Sequence, residues 1–246
     1  DDAGGIRAAS YLVVFPSAFF LAQVYSEGLF VGLAFSSLAL IRRQHWLAAG
    51  LLAALAVWTR AVGAALLLPL ALAAWQTTRE QRRFNRPLVA AWVAVLLPLA
   101  AYLLWNAAYG APFRAVEESF FGRGILLVEK SFGAWGAILD SLGTANPQTV
   151  VYYLLELAGM GLALVAGLLT LPRYPGAALF GLGTLVIAFT SGVPQSMIRY
   201  VVAVPSIYLL LAWLGRRPAF DRAWTTASIL LLGLLTLLFT FDMWVA

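Results

Sequence analysis

Apolar residues recur along the whole chain in runs of 14 to 23 residues, and short polar breaks separate the runs. A helix needs about 20 apolar residues to cross a bilayer, so this pattern predicts an all-α, polytopic transmembrane helical bundle. Several runs have only 14 to 16 residues, so either neighbouring residues extend these helices or some helices end inside a cavity. The pattern gives about nine membrane segments: 10–25, 28–41, 46–59, 62–75, 87–105, 149–171, 176–190, 199–214 and 224–241.

The breaks differ in charge according to their order along the chain. Odd-numbered and even-numbered breaks should lie on opposite sides of the bilayer. The positive-inside rule assigns the arginine-rich set of breaks to the cytoplasmic side. The other breaks, which hold Glu27, Arg60 and Arg199, are then extracytoplasmic. The predicted cytoplasmic side has eleven of the sixteen basic residues: Arg7, Arg42, Arg43, Arg79, Arg82, Arg83, Arg86, Arg173, Arg216, Arg217 and Arg222.

The longest break, residues 106–148, is predicted to be an extracytoplasmic loop of 43 residues. It is too long and too aromatic for a plain connector, and Pro112 predicts the start of a short helix. A second amphipathic stretch follows. The two helices either anchor the loop at the membrane interface or form a lid over a site. Their apolar faces would consist of Phe113, Val116 and Phe120 in the first and of Phe132, Trp135, Ile138 and Leu139 in the second.

Composition supports one integral membrane domain over residues 1–246. Hydrophobic residues make up 62% of the chain and charged residues 11%, against about 45–50% and about 25% in soluble domains. The net charge of +5 does not form a basic stripe interleaved with aromatic residues, so no nucleic acid partner is predicted. The chain begins at Asp1 without a signal-peptide pattern, and we expect a fragment that lacks its natural N-terminus.

Four ionisable residues interrupt or flank the apolar runs: Glu27, Arg60, Glu156 and Arg199. Each would cost about 2.5–3.5 kcal/mol at a helix centre, so such residues usually face protein, water or a ligand. Glu27 either caps the helix that follows it or points into a polar cavity and binds an acceptor hydroxyl or a metal. Glu156 is interpreted as a local pairing residue.

Arg60 and Arg199 each have two interpretations. Either they form structural ion pairs, Arg60 with Glu27, or they bind a phosphate, which a guanidinium group grips bidentately. Polar neighbours that could complete such a site are Tyr25, Ser26, Gln195 and Tyr200. Arg123 and Lys130 in the long loop are either solvated or close on an anionic lipid headgroup.

The sequence gives little indication of a metal site. The only histidine, His45, lies beside cytoplasmic arginines, and cysteine is absent, which argues against zinc. No set of metal ligands is predicted, and no cofactor is assigned. A divalent metal is left open only under the second interpretation of Glu27, in which its side chain points into a polar cavity. Gly28 and Gly32 form a GxxxG pair, which close helix packing explains.

Three stretches resemble a known family. They are FPSAFFLAQVYSEGLF at 15–30, RRQHWLAAGLLAALAVWTRAVG at 42–63 and SMIRYVVAVPSIYLLLAWL at 196–214. In this order they resemble the polytopic mannosyltransferases of the GT-C superfamily, similar to the enzyme that adds the second mannose in GPI-anchor assembly and to its bacterial relatives. The YSE break and the TR-x-x-G break carry most of the resemblance.

The resemblance implies a glycosyltransferase that moves a sugar, mannose, from a polyprenyl-phosphate donor to a hydroxyl of a lipid or glycan acceptor on the extracytoplasmic side. It implies a GT-C-like bundle in the plasma membrane of a bacterium or the endoplasmic reticulum of a eukaryote. It also implies a catalytic acidic residue in a first extracytoplasmic loop, which we expect to precede this chain. Glu27 is the catalytic candidate here. The substrate-binding candidates are Tyr25, Ser26, Arg60, Arg123, Gln195, Arg199 and Tyr200.

Two other classes of protein remain open at this stage. A transporter or lipid flippase would also bury charges between helices, but transporters usually show paired repeats and broken helices near the membrane midplane. A structural membrane subunit would pair the three charges Glu27, Arg60 and Arg199 locally and leave no cavity around them. A hydrophilic pocket lined by the three residues would favour the transferase.

Overall fold

The computed structural model describes residues 2–80, 85–241 and 243, and every regular element in these ranges is a helix. The all-α prediction is therefore confirmed. Two 3₁₀ helices, Ala18–Leu21 and Ala61–Leu66, accompany the α-helices. The α-helices are α1 Asp2–Val13, α2 Glu27–Arg42, α3 Trp46–Thr59, α4 Leu67–Glu80, α5 Arg86–Phe121, α6 Val128–Ser141, α7 Pro147–Thr170, α8 Pro175–Phe189, α9 Met197–Val201, α10 Pro205–Leu214 and α11 Pro218–Thr240.

Within the described residues, four helical stretches are long and apolar enough to cross a membrane: Ala61–Glu80, Arg86–Phe121, Pro147–Thr170 and Pro218–Thr240. Three shorter apolar helices, α3, α8 and α10, accompany them. These lengths and compositions are consistent with a membrane protein. The structure therefore supports membrane helices. Nine membrane segments were predicted, and these four long stretches account for only part of that number.

Proline divides two of the predicted segments. The predicted segment 10–25 is not one helix, because α1 ends at Val13 and Pro16 follows, which has no N–H and disfavours helix at the residue before it. The predicted segment 199–214 is divided in the same way. In it, α9 ends at Val201 and α10 begins at Pro205, where the missing N–H costs no helical hydrogen bond.

The predicted boundary of the long loop was wrong. Residues 106–121 continue α5, which spans 36 residues, or about 54 Å at 1.5 Å per residue. Pro112 lies inside this helix and does not begin a new one. A proline removes one backbone hydrogen bond, and the Ala, Arg and Glu residues around it favour helix strongly enough to continue it. The second predicted loop helix is present as α6.

The helices α3 and α5 pack with unusually close backbones. A Cβ atom added at Gly50 would lie 2.7 Å from the Cα atom of Ala94. Ala53 and Ala91 are fully buried beside them. Small residues allow helices in a membrane to approach in this way, since van der Waals contact is a principal attraction there. This close pair supports the turn after α3, from which Arg60 projects.

Glu27 and Arg42 mark opposite ends of the bundle. They are the first and last residues of α2 and lie about 22 Å apart along it. We call the two regions the Glu27 end and the Arg42 end. Arg173 shares the Arg42 end, because both guanidinium groups lie within 6 Å of the ring centroid of Tyr174. The membrane side that each end faces stays a prediction, and Arg82 and Arg83 lie outside the described residues.

Candidate functional site

Glu27 is a buried carboxylate at the start of α2. Its residue exposure is only 1%, although the chain around it is largely apolar. The N-terminus of a helix favours a negative charge, which explains part of the placement. A Cβ atom at the next residue, Gly28, would lie 2.2 Å from the backbone oxygen of Leu21. Glycine therefore lets the 3₁₀ helix Ala18–Leu21 pack directly on the first turn of α2.

Arg60 reaches Glu27 from the turn between α3 and the following 3₁₀ helix. Its backbone is extended, with φ −153° and ψ 139°, so α3 ends here and the next 3₁₀ helix begins in a new direction. Gly63 makes this change of direction feasible, since a Cβ atom there would lie 2.7 Å from the backbone nitrogen of Val57. The guanidinium Nη1 lies 2.5 Å from Glu27 Oε1. The same Nη1 is 3.5 Å from Ser26 Oγ.

Arg199 reaches the same oxygen from α9. Its Nη2 lies 2.6 Å from Glu27 Oε1, and its Nε donates to that oxygen at 2.7 Å. The Arg60 and Arg199 side chains are 13% and 22% exposed, so the pairs are shielded but still reachable from outside. All three N–H contacts fall on Oε1. The other oxygen, Oε2, is buried and has no hydrogen-bond partner among the described residues.

Tyr200 connects a third arginine to this cluster. The Arg60 guanidinium lies 4.9 Å from the centroid of the Tyr200 ring. The hydroxyl of Tyr200 accepts a hydrogen bond of 2.8 Å from Arg123 Nη1, and the backbone carbonyl of Gln195 accepts one of 2.8 Å from Arg123 Nη2. Gln195 was predicted as a polar side chain of the site, but the contact that the structure shows uses its backbone oxygen.

Aromatic rings support Arg199 on its other side. Its guanidinium lies 4.5 Å from the ring centroid of Tyr25 and 5.2 Å from that of Phe20. Phe239 of α11 packs edge-on against both rings. Cation–π contacts of this kind hold the guanidinium group in place. The structure thus brings all eight sequence-predicted residues to the Glu27 end.

The segment 190–200 organises the site, and sequence analysis missed most of its contacts. Glu156 has a local partner, as predicted, in the Tyr152 side chain one turn earlier in α7, with which it forms a hydrogen bond. It also has a distant partner that was not predicted, because its Oε2 accepts a hydrogen bond of 2.6 Å from the backbone nitrogen of Ile198. Ser17 Oγ donates to the backbone oxygen of Ile198 at 3.2 Å, and Tyr152 Oη accepts from the Ser196 nitrogen at 3.0 Å. Serines and tyrosines are common in such segments, so no sequence signal separates these from ordinary ones.

The start of α6 packs against the same segment. The backbone nitrogen atoms of Gly124 and Leu127 donate to the carbonyl oxygens of Ser191 and Thr190 at 2.9 and 2.8 Å. Lys130 Nζ donates to the Gly122 oxygen at 2.6 Å and is exposed. The second half of the predicted long loop therefore contacts the site through residues 123–131. Its action as a lid stays a prediction.

The charge balance of the site favours an anion over a cation. Among the eight sequence-predicted residues, three guanidinium groups and the carboxylate of Glu27 give a formal charge of 3 − 1 = +2, and the only ion pairs within 4 Å among the described residues are those of Glu27. Those residues contain no group of three or more metal-ligating side chains. A divalent metal on Glu27 would meet two guanidinium groups at Oε1, so the residues do not fit a metal. His45 lies beyond the other end of α2, two residues after Arg43.

Two well-formed cavities of the described residues are not the hydrophilic pocket that would favour a transferase, because neither is lined by Glu27, Arg60 or Arg199. One cavity of about 450 Å³ lies at the Arg42 end, and another is lined by Leu47, Arg86 and Val93. The comparisons add no assignment: no family model, no curated protein and no solved structure matches the chain.

Proposed function

We propose that this chain is a membrane glycosyltransferase with a GT-C-like bundle of about nine membrane segments. In this proposal it transfers a sugar, mannose, from a polyprenyl-phosphate donor to a hydroxyl acceptor on the extracytoplasmic side. One observation supports the proposal most: two guanidinium groups contact one buried carboxylate and a third is bonded to Tyr200 beside them, so the predicted site residues carry an excess positive charge of +2. The family resemblance supplies the sugar and the lipid carrier.

The arginines suit the departing phosphate. In a direct displacement, an acceptor oxygen forms a bond to the anomeric carbon while the bond from that carbon to the phosphate oxygen breaks. The leaving polyprenyl phosphate gains negative charge as it departs, and the acceptor hydroxyl loses its proton to a base. Guanidinium groups placed where that charge grows stabilise the transition state. Arg199 and Arg123, both only partly buried, are the groups that an approaching phosphate meets.

Glu27 has two roles in this proposal. Its Oε1 holds Arg60 and Arg199 in position, as the contacts of 2.5 to 2.7 Å indicate. Its Oε2 has no hydrogen-bond partner and is the oxygen available to accept a proton from a hydroxyl. Because a phosphate competes with the carboxylate for the same N–H groups, donor binding loosens the pairs and opens a path to Oε2.

A reconstituted transfer assay tests the proposal. The full chain is placed in vesicles with labelled polyprenyl-phosphate mannose and a hydroxyl acceptor. The amount of labelled mannose transferred to the acceptor is measured. The Arg60→Ala and Arg199→Ala variants should lose transfer while membrane insertion is retained. Arg222→Ala is the matched control, because Arg222 is exposed and its side chain donates to the nearby Pro218 carbonyl in its own helix.

Three results would count against the proposal. Unchanged turnover in both variants removes the phosphate assignment. Loss of turnover together with a collapsed fold, seen as a lost cooperative unfolding transition, would indicate that the arginines are structural only. Movement of labelled lipid between leaflets without sugar transfer would favour a flippase, the alternative from another class.

A further inference from the structure

A second region of the molecule combines an open apolar groove with unpaired positive charge. It is the cavity of about 450 Å³ at the Arg42 end, within the range of about 300–1,000 Å³ that is usual for small-ligand sites. Its walls come from α1, α2, α8 and α10, with Leu12, Phe35, Leu38 and Leu209 among them. These side chains are half-buried, so the groove is open and not part of the packed core.

The groove contains almost no polar group along its length. The hydroxyl of Tyr208, one of its lining residues, donates to the Val202 carbonyl at 2.7 Å and is buried. No aspartate or glutamate lines the groove. An apolar channel of this kind suits a hydrocarbon chain, because the chain leaves no buried polar partner unsatisfied.

Positive charge is concentrated at one edge of the groove. Arg42 and Arg173 both line it, both are exposed, and their guanidinium groups lie 5.9 and 5.7 Å from the ring centroid of Tyr174. Neither has a carboxylate within 4 Å among the described residues. Two guanidinium groups without a carboxylate partner therefore lie beside the same tyrosine ring at one edge of the groove, and guanidinium groups bind phosphate oxygens through charge-assisted hydrogen bonds.

We infer that this groove binds one anionic phospholipid, with its phosphate at Arg42 and Arg173 and an acyl chain along Leu12, Phe35 and Leu209. Basic pockets between membrane helices are suited to lipid headgroups of this charge. The site lies about 22 Å along α2 from Glu27. It therefore does not depend on the proposed sugar transfer.

Native mass spectrometry of the purified full chain tests this inference. The chain is titrated with phosphatidylglycerol or with phosphatidylcholine of identical acyl chains. The wild type should retain one phosphatidylglycerol in preference to phosphatidylcholine. The Arg42→Gln/Arg173→Gln double variant should bind phosphatidylglycerol about 30-fold more weakly, the effect expected of two surface arginines.

Two further variants make the test specific. The Arg114→Gln/Lys130→Gln variant removes the same charge from exposed residues outside the groove, towards the Glu27 end, and its affinity should remain within about threefold of wild type, since screening weakens distant surface charges. Ala39→Trp fills an exposed position of the groove wall and keeps both arginines; it should also lose the lipid.

Several outcomes would overturn the inference. Equal losses in the two double variants would show that only overall charge matters, and full binding by Ala39→Trp would place the lipid elsewhere. Equal retention of both lipids would exclude an anionic site. Complete displacement of the lipid by inorganic phosphate alone would indicate a site for free phosphate, without a place for the acyl chain.

Discussion

At the scale of single residues, the Glu27 cluster explains why an apolar stretch contains a carboxylate. An isolated carboxylate or guanidinium in an apolar environment carries a large desolvation cost, which hydrogen bonding and pairing offset. Here one oxygen receives three N–H contacts from Arg60 and Arg199. Two positive groups share one negative group, so the arrangement is not a neutral structural pair. The excess charge is the feature that indicates an anionic ligand.

Removing the carboxylate should destabilise the protein more than removing the whole charged cluster. Glu27→Ala leaves Arg60 and Arg199 without their partner, and we expect a loss of about 3 kcal/mol or more in unfolding free energy. The triple variant Glu27→Leu/Arg60→Met/Arg199→Met should recover most of that loss. Unfolding in detergent, followed by tryptophan fluorescence, measures both.

The control for this comparison is Glu129→Ala, because Glu129 is exposed at the start of α6. Its unfolding free energy should change by less than about 0.5 kcal/mol. A triple variant that is less stable than Glu27→Ala would contradict the interpretation, because it would mean that the arginines stabilise the fold without the carboxylate.

Tyr200 offers a milder change within the site. Tyr200→Phe removes the hydroxyl that accepts from Arg123 at 2.8 Å and keeps the ring beneath Arg60. If Arg123 binds the donor phosphate, the donor KM should rise about tenfold, since a hydrogen bond to a charged group contributes about 1.5 kcal/mol. Initial rates at varied donor concentration check this. Tyr109→Phe, at an exposed position, should leave KM unchanged.

The charged residues of the site were predictable and their supporting residues were not. Glu27, Arg60 and Arg199 were identified because a charge in an apolar run is costly, and that cost is visible in the sequence. Phe20 was missed because one more aromatic residue in FPSAFFL carries no such signal. Glu156 was predicted to pair locally, and Tyr152 in the same helix is such a partner. Its second partner is a backbone amide of α9, which no side-chain pattern reveals.

At the scale of elements, helix breaks form the site. The helices α2, α9 and the two 3₁₀ helices all begin or end near Glu27, and their turns bring charged side chains inward. The sequence indicated short helices, but it did not show which prolines begin a helix and which lie inside one. Pro205 begins a helix, whereas Pro112 lies inside α5, and the difference depends on whether neighbouring residues continue the helix through the missing hydrogen bond.

The two glycines of α2 should respond oppositely to substitution. A Cβ atom at Gly28 would lie 2.2 Å from the Leu21 oxygen, whereas nothing lies within 4 Å of one at Gly32. Gly28→Ala should therefore lower the unfolding free energy by about 1–3 kcal/mol through steric overlap. Gly32→Ala should raise it by about 0.5–1 kcal/mol through helix propensity. Equal effects in thermal unfolding would show that the 3₁₀ helix does not pack on α2 as described.

At the scale of the whole molecule, charge distribution and helix direction agree. Arg42 and Arg173 come from breaks that the charge pattern assigned to one side, and they meet over the same tyrosine ring. Glu27, Arg60 and Arg199 come from breaks assigned to the other side, and they also meet. Counting arginines in alternate breaks was sufficient for this grouping, because each helix carries the chain from one end of the bundle to the other. The number of complete crossings was not accessible in this way, since prolines and short helices leave several crossings incomplete.

The absence of cysteine from the chain makes the sidedness of the two ends directly measurable. Thr144→Cys lies between α6 and α7 at the Glu27 end, and Ala219→Cys lies in the first turn of α11 at the Arg42 end; both positions are exposed. In intact cells, a membrane-impermeant maleimide should label Thr144→Cys, because the arginine-poor end is expected outside. It should label Ala219→Cys only after the membrane is permeabilised. Labelling of Ala219→Cys in intact cells would reverse the orientation, and would place the arginine cluster of Glu27 on the side where an extracytoplasmic sugar donor is absent.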